Sequence, residues 1–370
     1  MTIAGTRPEV IKLSRVIAEL DRRVAHVLVH TGQNHDYELS RIFFDELGIR
    51  RPDHFLRCAG RTPAETIANV VVRSDAVLAK ERPDALLLLG DTNSCLAAIS
   101  AKRRRIPVFH MEAGNRSFDE RVPEEINRRI VDHISDINLP YTEHARRYLL
   151  REGLRPETVI KTGSPMYEVL RHHERDIARS AILQRLELAP RGYFVVSAHR
   201  EENVDEPGNF RDLLAALAAV AARHRKPVVV STHPRTRARL DARRGAKLPA
   251  RIRFLKPLGF PDYVKLEMNA FCTLSDSGTL TEEASILGFP AVMIRQAHER
   301  PEGMDEAVTV MAGLKPGRVL EAVALAVAHH SGRKRPARIV ADYEVPDVAE
   351  KVVRIILSYT DYVNRTVWRK

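Results

Sequence analysis

Cysteine, aromatic residues and long apolar runs are all scarce in this chain, and each shortage closes off a class of protein. The three cysteines, Cys58, Cys95 and Cys272, lie far apart in sequence, so they offer neither a disulfide framework nor a CxxC site, and a reducing compartment fits them. Aromatics make up 6% of the residues, and no zinc-finger or RNA-recognition signature is present, so nucleic acid is not an expected partner. No apolar stretch approaches the roughly 18 residues of a membrane span, and the N-terminus lacks a signal-peptide pattern. A soluble, cytoplasmic protein without membrane insertion is expected. The chain has no GxGxxG fingerprint, so no NAD cofactor is expected. The stretch HTGQNHD, His30 to Asp36, lacks the i,i+4 spacing of a zinc helix, and no metal is expected.

What the chain does have is length and positive charge. At 370 residues it exceeds one typical core, so two domains are expected. Its 59 Lys and Arg against 48 Asp and Glu give a formal charge of +11, a balance that draws anionic ligands such as nucleotides. The basic clusters Lys102 to Arg105 and Arg333 to Arg338 read as solvated faces. Short apolar runs near Val27 to Thr31, Ala85 to Gly90, Pro107 to Met111 and Ile137 to Pro140 alternate with helical patterns. This βαβ rhythm belongs to a parallel sheet. It restarts after Gly163 with Tyr193 to Ser197, Pro227 to Thr232, Ile252 to Leu255, Phe271 to Ser275 and Pro290 to Ile294. The spacing predicts an α/β chain of two doubly wound domains, whose strand C-termini and loops would surround a cleft. Met166 to Leu188 reads as a helical connection and Val345 to Tyr359 as a closing helix.

Two strand-to-helix turns stand out. In GTRPEVIK (Gly5 to Lys12) a glycine turn meets a helix that Thr6 can cap and Pro8 can open, with Arg7 and Lys12 adding charge. Free N–H groups at such a junction grip phosphate. An ordinary turn with a solvated arginine is the bland alternative. The second turn, LSDSGTLTEE (Leu274 to Glu283), again joins a strand to a helix through small residues, with Glu282 and Glu283 in the first turn. Alone it reads equally well as an N-cap.

Seven motifs run in order along the chain: GTRPEVIK, LLLGDTNS (Leu87 to Ser94), HMEAGNR (His110 to Arg116), VPEEINR (Val122 to Arg128), SAHREEN (Ser197 to Asn203), SDSGTLTEE (Ser275 to Glu283) and ERPEG (Glu299 to Gly303). Together they resemble the non-hydrolysing UDP-N-acetylglucosamine 2-epimerase family over essentially the whole chain. The resemblance implies a GT-B-like architecture of two Rossmann-like domains with the UDP-sugar between them. It implies an N-terminal domain over 1–164, a C-terminal UDP-binding domain over 165–346, and a C-terminal helix, about 347–370, that packs back on the first. It also implies an isomerase that expels UDP from C1 while C2 loses its proton, passes through 2-acetamidoglucal, and adds both back with the proton on the other face. A homodimer in polysaccharide precursor synthesis completes the implication.

Such chemistry needs cations for the departing UDP, carboxylates near C1 and C2, and a proton carrier. Asp91 and Glu112 each end a predicted strand, and Glu124 opens a helix after Pro123. Asp91 reads alternatively as an N-cap on a helix from Thr92, and Glu124 as a first-turn acid pairing with Arg128. Which carboxylate removes the proton stays open. Carry-over by motif places Arg7, Lys12, His199, Ser277 and Gly278 around the phosphates, Glu283 on the ribose, the uracil on Tyr263, and Arg300 on the substrate side. His199 is also implied to be needed for activity. His110, His133 and His233 read by default as structural.

The chain departs from the family pattern in several places. It starts only a few residues before Gly5, so a first strand shorter than usual is expected. GDTNS, HMEAGNR and SDSGT replace more frequent forms, which resembles the subgroup acting on modified UDP-N-acetylhexosamines of surface polysaccharides. QNHDYEL (Gln33 to Leu39) replaces a segment tied to allosteric activation. Two readings of other classes remain: a GT-B UDP-sugar glycosyltransferase, which would not require the three carboxylates together, and a non-catalytic nucleotide-sugar or nucleic-acid binder.

Overall fold

A computed structural model of the chain describes residues 1–33, 44–242, 249–331 and 337–370. The chain divides into two compact units, Met1–His172 with Ala341–Lys370, and His173–Val340. Each is built on a six-stranded parallel sheet.

The first sheet comprises β1 (Thr2–Ala4), β2 (Leu28–His30), β3 (His54–Phe55), β4 (Leu86–Leu89), β5 (Val108–Met111) and β6 (Ile137–Leu139). Its spatial order is β3-β2-β1-β4-β5-β6. Four consecutive leucines make β4, and all are buried. A strand covered on both faces has no polar side to alternate with, hence the unbroken apolar run. Leu86 and Leu88 join Ile3, Val29 and Val108 in a core packed on Val70 and Leu78 of the helix Pro63–Glu81, Ala97, Ala98 and Ala101 of the helix Ala97–Arg103, and Val131 of the helix Pro123–Ile134. The alternate residues point to the other face. The helix Arg7–Arg23 buries Val10, Leu13, Val16, Ile17 and Leu20, and the late helix Val348–Val363 packs against it.

The second sheet comprises β7 (Phe194–Ser197), β8 (Val228–Ser231), β9 (Ile252–Leu255), β10 (Cys272–Ser275), β11 (Ala291–Met293) and β12 (Val310–Met311), in the order β12-β11-β10-β7-β8-β9. Counted from its own first strand, this is the same order as the first sheet. One face carries Phe194, Val196, Val228 and Val230 against Leu213, Leu217 and Val220 of the helix Pro207–His224 and Val319 and Val323 of the helix Pro316–His330. The other carries Tyr193, Val195 and Val229 against Leu266 and Ala270.

Every strand run named from the sequence is present, so the doubly wound α/β class holds in both units. The edge strands β3 and β12, two residues each, were not expected because two residues carry no period. The predicted helical connection is broken into Met166–His172, Glu174–Arg179 and Ile182–Arg185. Most of QNHDYEL, the later part of HTGQNHD, and Arg333 to Pro336 of the second basic cluster lie outside the described residues.

Candidate active site

In an open parallel sheet, ligands bind beyond the strand C-termini where the strand order reverses, because neighbouring loops diverge there. Those places are β1/β4 in the first unit and β7/β10 in the second. The motifs cluster at both.

In the first unit the turn after β1 is tied to the loop after β4. A Cβ on Gly5 would overlap the hydroxyls of Thr31 and Ser94, so only glycine fits. Glu9, in the first turn of the helix, reaches back: its Oε2 accepts from the Gly5 amide (2.8 Å), the Thr6 amide (2.6 Å) and the Thr6 hydroxyl (2.8 Å). Its Oε1 accepts from the Thr92 hydroxyl at 2.8 Å. Burial pushes the Glu9 carboxyl up to about 7, against the pull of these donors.

Asp91 follows Gly90, whose φ of 77° turns the chain out of β4. Thr92, not Asp91, caps the short helix Asn93–Leu96, accepting from the Ser94 amide. The N-cap alternative for Asp91 is therefore excluded. Its carboxylate instead accepts from Arg128 Nε at 2.8 Å, and Arg128 also reaches Glu125 at 3.0 Å. Glu112 follows β5 with φ 61°, a left-handed conformation that costs a non-glycine residue about 1–3 kcal/mol. The Lys12 ammonium clamps it, 2.9 and 2.8 Å from its two oxygens, and Asn115 Nδ2 lies 3.4 Å from Oε1. Lys12, read from sequence toward phosphate, thus stands on a carboxylate here. Glu124 occupies the first turn of the helix Pro123–Ile134, half-buried, and Arg7 opens the helix Arg7–Arg23, also half-buried.

Behind these residues runs a buried polar chain. His110 Nε2 lies 2.7 Å from the Gly90 carbonyl and Nδ1 2.9 Å from Asp132 Oδ1. Asp132 Oδ2 accepts from the Gly114 amide (3.1 Å) and Arg116 Nη1 (2.7 Å), and Arg116 continues to Glu152. His110 and Asp132 are fully buried, and Arg116 is nearly so.

In the second unit the centre is Asp276, fully buried at the end of β10. It accepts from the amides of His199 (2.9 Å) and Arg200 (3.0 Å) and from Asn203 Nδ2 (3.1 Å), and it pairs with His199 Nδ1 at 3.2 Å. Burial opposes its charge, but His199 and these donors outweigh that and hold the carboxyl down at about 2. With Nδ1 engaged, Nε2 of the partly exposed His199 is the ring nitrogen left to face a ligand. Ser277 and Gly278 lead into the helix Thr279–Leu287. A Cβ on Gly278 would lie 2.8 Å from Glu299 Oε1. Glu282 alone of the two acids lies in the first turn of that helix; Glu283, expected there too, is its fifth residue and is largely buried. Tyr263, half-buried, edges the apolar cluster around Leu266. Arg300 is 2% exposed and lies 3.2 Å from Glu282 Oε2. His233, 5.6 Å from His199 between ring centroids, caps the helix Pro234–Asp241.

The structure thus gathers Lys12, Asp91 and Glu112 at one switch point and His199, Ser277 and Gly278 at the other. Sequence reasoning passed over Glu9, Asp132 and Asp276, and named Arg128 only as a partner of Glu124, not of Asp91. An acid directly before a small-residue turn at a strand end was the available signal for Asp276.

A family model described as UDP-N-acetylglucosamine 2-epimerase matches residues 18–357. The UDP-N-acetylglucosamine 2-epimerase of Methanocaldococcus jannaschii is 32% identical over 380 residues, spanning 97% of this chain and 99% of that protein. The UDP-2,3-diacetamido-2,3-dideoxy-D-glucuronate 2-epimerase of Pseudomonas aeruginosa is 33% identical over 327 residues, spanning 87% and 90%. Among solved structures, the UDP-N-acetylglucosamine 2-epimerase from Rickettsia bellii matches with a TM-score of 0.93 and 54% identity, over 100% of this chain and 99% of that one. The M. jannaschii enzyme in complex with UDP-GlcNAc and UDP matches with a TM-score of 0.88 and 30% identity, over 96% and 99%.

Proposed function

The chain belongs to the UDP-N-acetylglucosamine 2-epimerase family, whose members are isomerases, and we propose that it interconverts UDP-GlcNAc and UDP-ManNAc by elimination and re-addition of UDP. The C2–H and C1–O bonds break, a C1=C2 double bond forms, UDP leaves with the bonding pair, and the reverse addition delivers the proton to the opposite face. The observation that carries this reading is the carboxylate set at the first switch point. Asp91 and Glu112 are each held by a cation and stand where loops diverge, with Glu112 in a strained conformation that a merely structural acid does not require.

The parts divide by charge. In the first unit Asp91, Glu112 and Glu124 act at C1 and C2, while Arg7 and Lys12 serve the departing diphosphate. On this reading Lys12 exchanges Glu112 for phosphate when substrate arrives, leaving the carboxylate free to take a proton. In the second unit His199, Ser277 and Gly278 hold the diphosphate, Glu283 the ribose and Tyr263 the uracil. Arg300, paired with Glu282, acts by supporting the turn from beneath. A glycosyltransferase reading explains the phosphate grip but leaves the carboxylate set without a task.

Plain UDP-N-acetylglucosamine is the substrate this reading commits to. The residues that resembled a modified-sugar subgroup are engaged locally: Asn93 Oδ1 with Asn127, Asn115 with Glu112, and the Thr279 hydroxyl with that of Ser277. Val72, Ile99, Ile126 and Ile130 are exposed on three helices packed in sequence across one face, which supports a homodimer formed there. Three free, buried cysteines fit a cytoplasmic setting, and the reading assigns the product to polysaccharide precursor supply.

The deciding experiment is incubation of the protein with UDP-GlcNAc and with 6-deoxy and diacetamido-uronate analogues in deuterated water, followed by NMR. Deuterium should enter at C2 with inversion, without added metal or nicotinamide. Label appearing first at another carbon overturns the mechanism, and a higher kcat/KM for an analogue overturns the choice of sugar.

A further inference from the structure

The buried polar chain behind the first switch point has a protonation state that its geometry fixes. The Gly90 carbonyl, 2.7 Å from His110 Nε2, can only accept, so Nε2 carries a proton. Asp132 Oδ2 receives two donors, the Gly114 amide and Arg116, which hold that carboxylate ionised. Its Oδ1 then has no proton to offer. Nδ1 and Oδ1 approach to 2.9 Å as an ion pair, without hydrogen-bond alignment; a bare lone pair that close to an anionic oxygen in a dry interior would be repulsive, so electrostatics protonates Nδ1 as well. The ring is an imidazolium, sealed from water on β5.

Three chain segments meet at this one ring. Gly90 is the residue before Asp91, so Nε2 fixes the peptide from which Asp91 departs. Glu112 lies two residues beyond His110, at φ 61°, and the Gly114 amide and Arg116 after it are bound to Asp132. Asp132 belongs to the helix Pro123–Ile134, whose first turn carries Glu124.

We propose that His110 and Asp132 are positioning residues for the epimerisation, a buried imidazolium–carboxylate pair that holds Asp91, Glu112 and Glu124 in one arrangement without touching substrate. Burial works against charge on the ring, but Asp132 and the Gly90 carbonyl, with Asp91 beyond, outweigh it and raise the imidazole above its ordinary range. Asp132 moves the opposite way, below the usual carboxylate range, because His110 and Arg116 outweigh its burial. A neutral side chain at either place would leave a buried partner unsatisfied. The proposal rests on the epimerase reading for its catalytic consequence, but the charge state stands apart from it.

The test begins with the unaltered protein, 15N-labelled at histidine, at pH 8, where an ordinary histidine is neutral. One imidazole with both ring nitrogens protonated is expected, assigned by its loss in His110→Gln. In Asp132→Asn the same ring should become neutral, with kcat down about tenfold or more while UDP affinity stays within about twofold. Asp132→Glu should recover part of kcat. A neutral ring in the unaltered protein overturns the proposal, as does Asp132→Asn with unchanged kcat. If the unaltered protein shows the signature but epimerises no UDP-sugar, the functional reading fails and the charged pair remains.

Discussion

The two units share one strand order and differ in what they place where that order reverses. At β1/β4 the first unit sets Glu9, Asp91 and Glu112, and cations, Lys12 and Arg128, are spent on holding two of these acids. At β7/β10 the second unit buries Asp276, whose oxygens are consumed by backbone amides, Asn203 and His199, and it pairs the neighbouring acids Glu299 and Glu282 with Arg200, Arg295 and Arg300. What it turns outward is an imidazole and a small-residue turn into a helix. On the proposed reading one scaffold serves proton chemistry in one copy and anion capture in the other, because the loops and not the sheet carry the chemistry.

The largest effect that would break this contrast lies on the acidic side. Asp91→Asn, Glu112→Gln and Glu124→Gln should each lower kcat by roughly 10²–10⁴-fold, the range of a general acid or base. UDP affinity, measured by calorimetry, should change by only a few fold, since on the proposed reading the carboxylates act at the sugar. Near-normal turnover in all three variants would remove the chemical role from the first unit.

Next in size is an opposite response to pH, because Glu9 in the first unit and Asp276 in the second are shifted in opposite directions. Glu9 titrates at about 7 when folded, well above an ordinary carboxylate, since burial outweighs its donors. Its folded form prefers the proton, so its contribution to stability is present at low pH and is lost as pH rises from about 4.5 through 7. Asp276 sits at about 2 against an ordinary 3.8, as His199 and the amides outweigh burial. Its contribution, about 2 kcal/mol, is present above pH 4 and is lost as pH falls toward 2. Melting curves should show Glu9→Gln flattening the decline between pH 5 and 8, and Asp276→Asn flattening the decline below pH 4. Parallel pH profiles for both variants and the unaltered chain would deny the contrast.

How far the sequence leads differs between the levels of structure. Parallel strands such as Leu86–Leu89 and Val228–Ser231 are legible because burial on both faces writes them as unbroken apolar runs between turn residues. Edge strands of two residues leave no such mark. At the sites, motif and strand-end position bring out Asp91, Glu112 and His199, but the partners come from far along the chain. Lys12 meets Glu112 one hundred residues on, and Asp276 meets the His199 amide across 77. Spacing rules describe neighbours on one helix or strand, so they name a residue without naming what it touches. For that reason the sequence names Arg300 without naming Glu282, the acid it meets 18 residues back.

The smallest effect sharpens the comparison from the binding side. His199 is aimed by Asp276, which holds both its backbone amide and its Nδ1, so the pair should act as one unit. His199→Ala and Asp276→Asn should each weaken UDP by about tenfold, or about 1.4 kcal/mol, and the double variant should lose little more than either alone. Arg7→Ala, at the other switch point, should weaken UDP by a similar factor, but its loss should add to that of His199→Ala because the two belong to separate sites, one on each sheet. Calorimetric titration of UDP into the three single and two double variants decides the matter. Additive losses for His199 and Asp276 would mean that the aspartate braces only its own loop, and the second unit's share of the anion grip would then rest on Ser277, Gly278 and the helix they open.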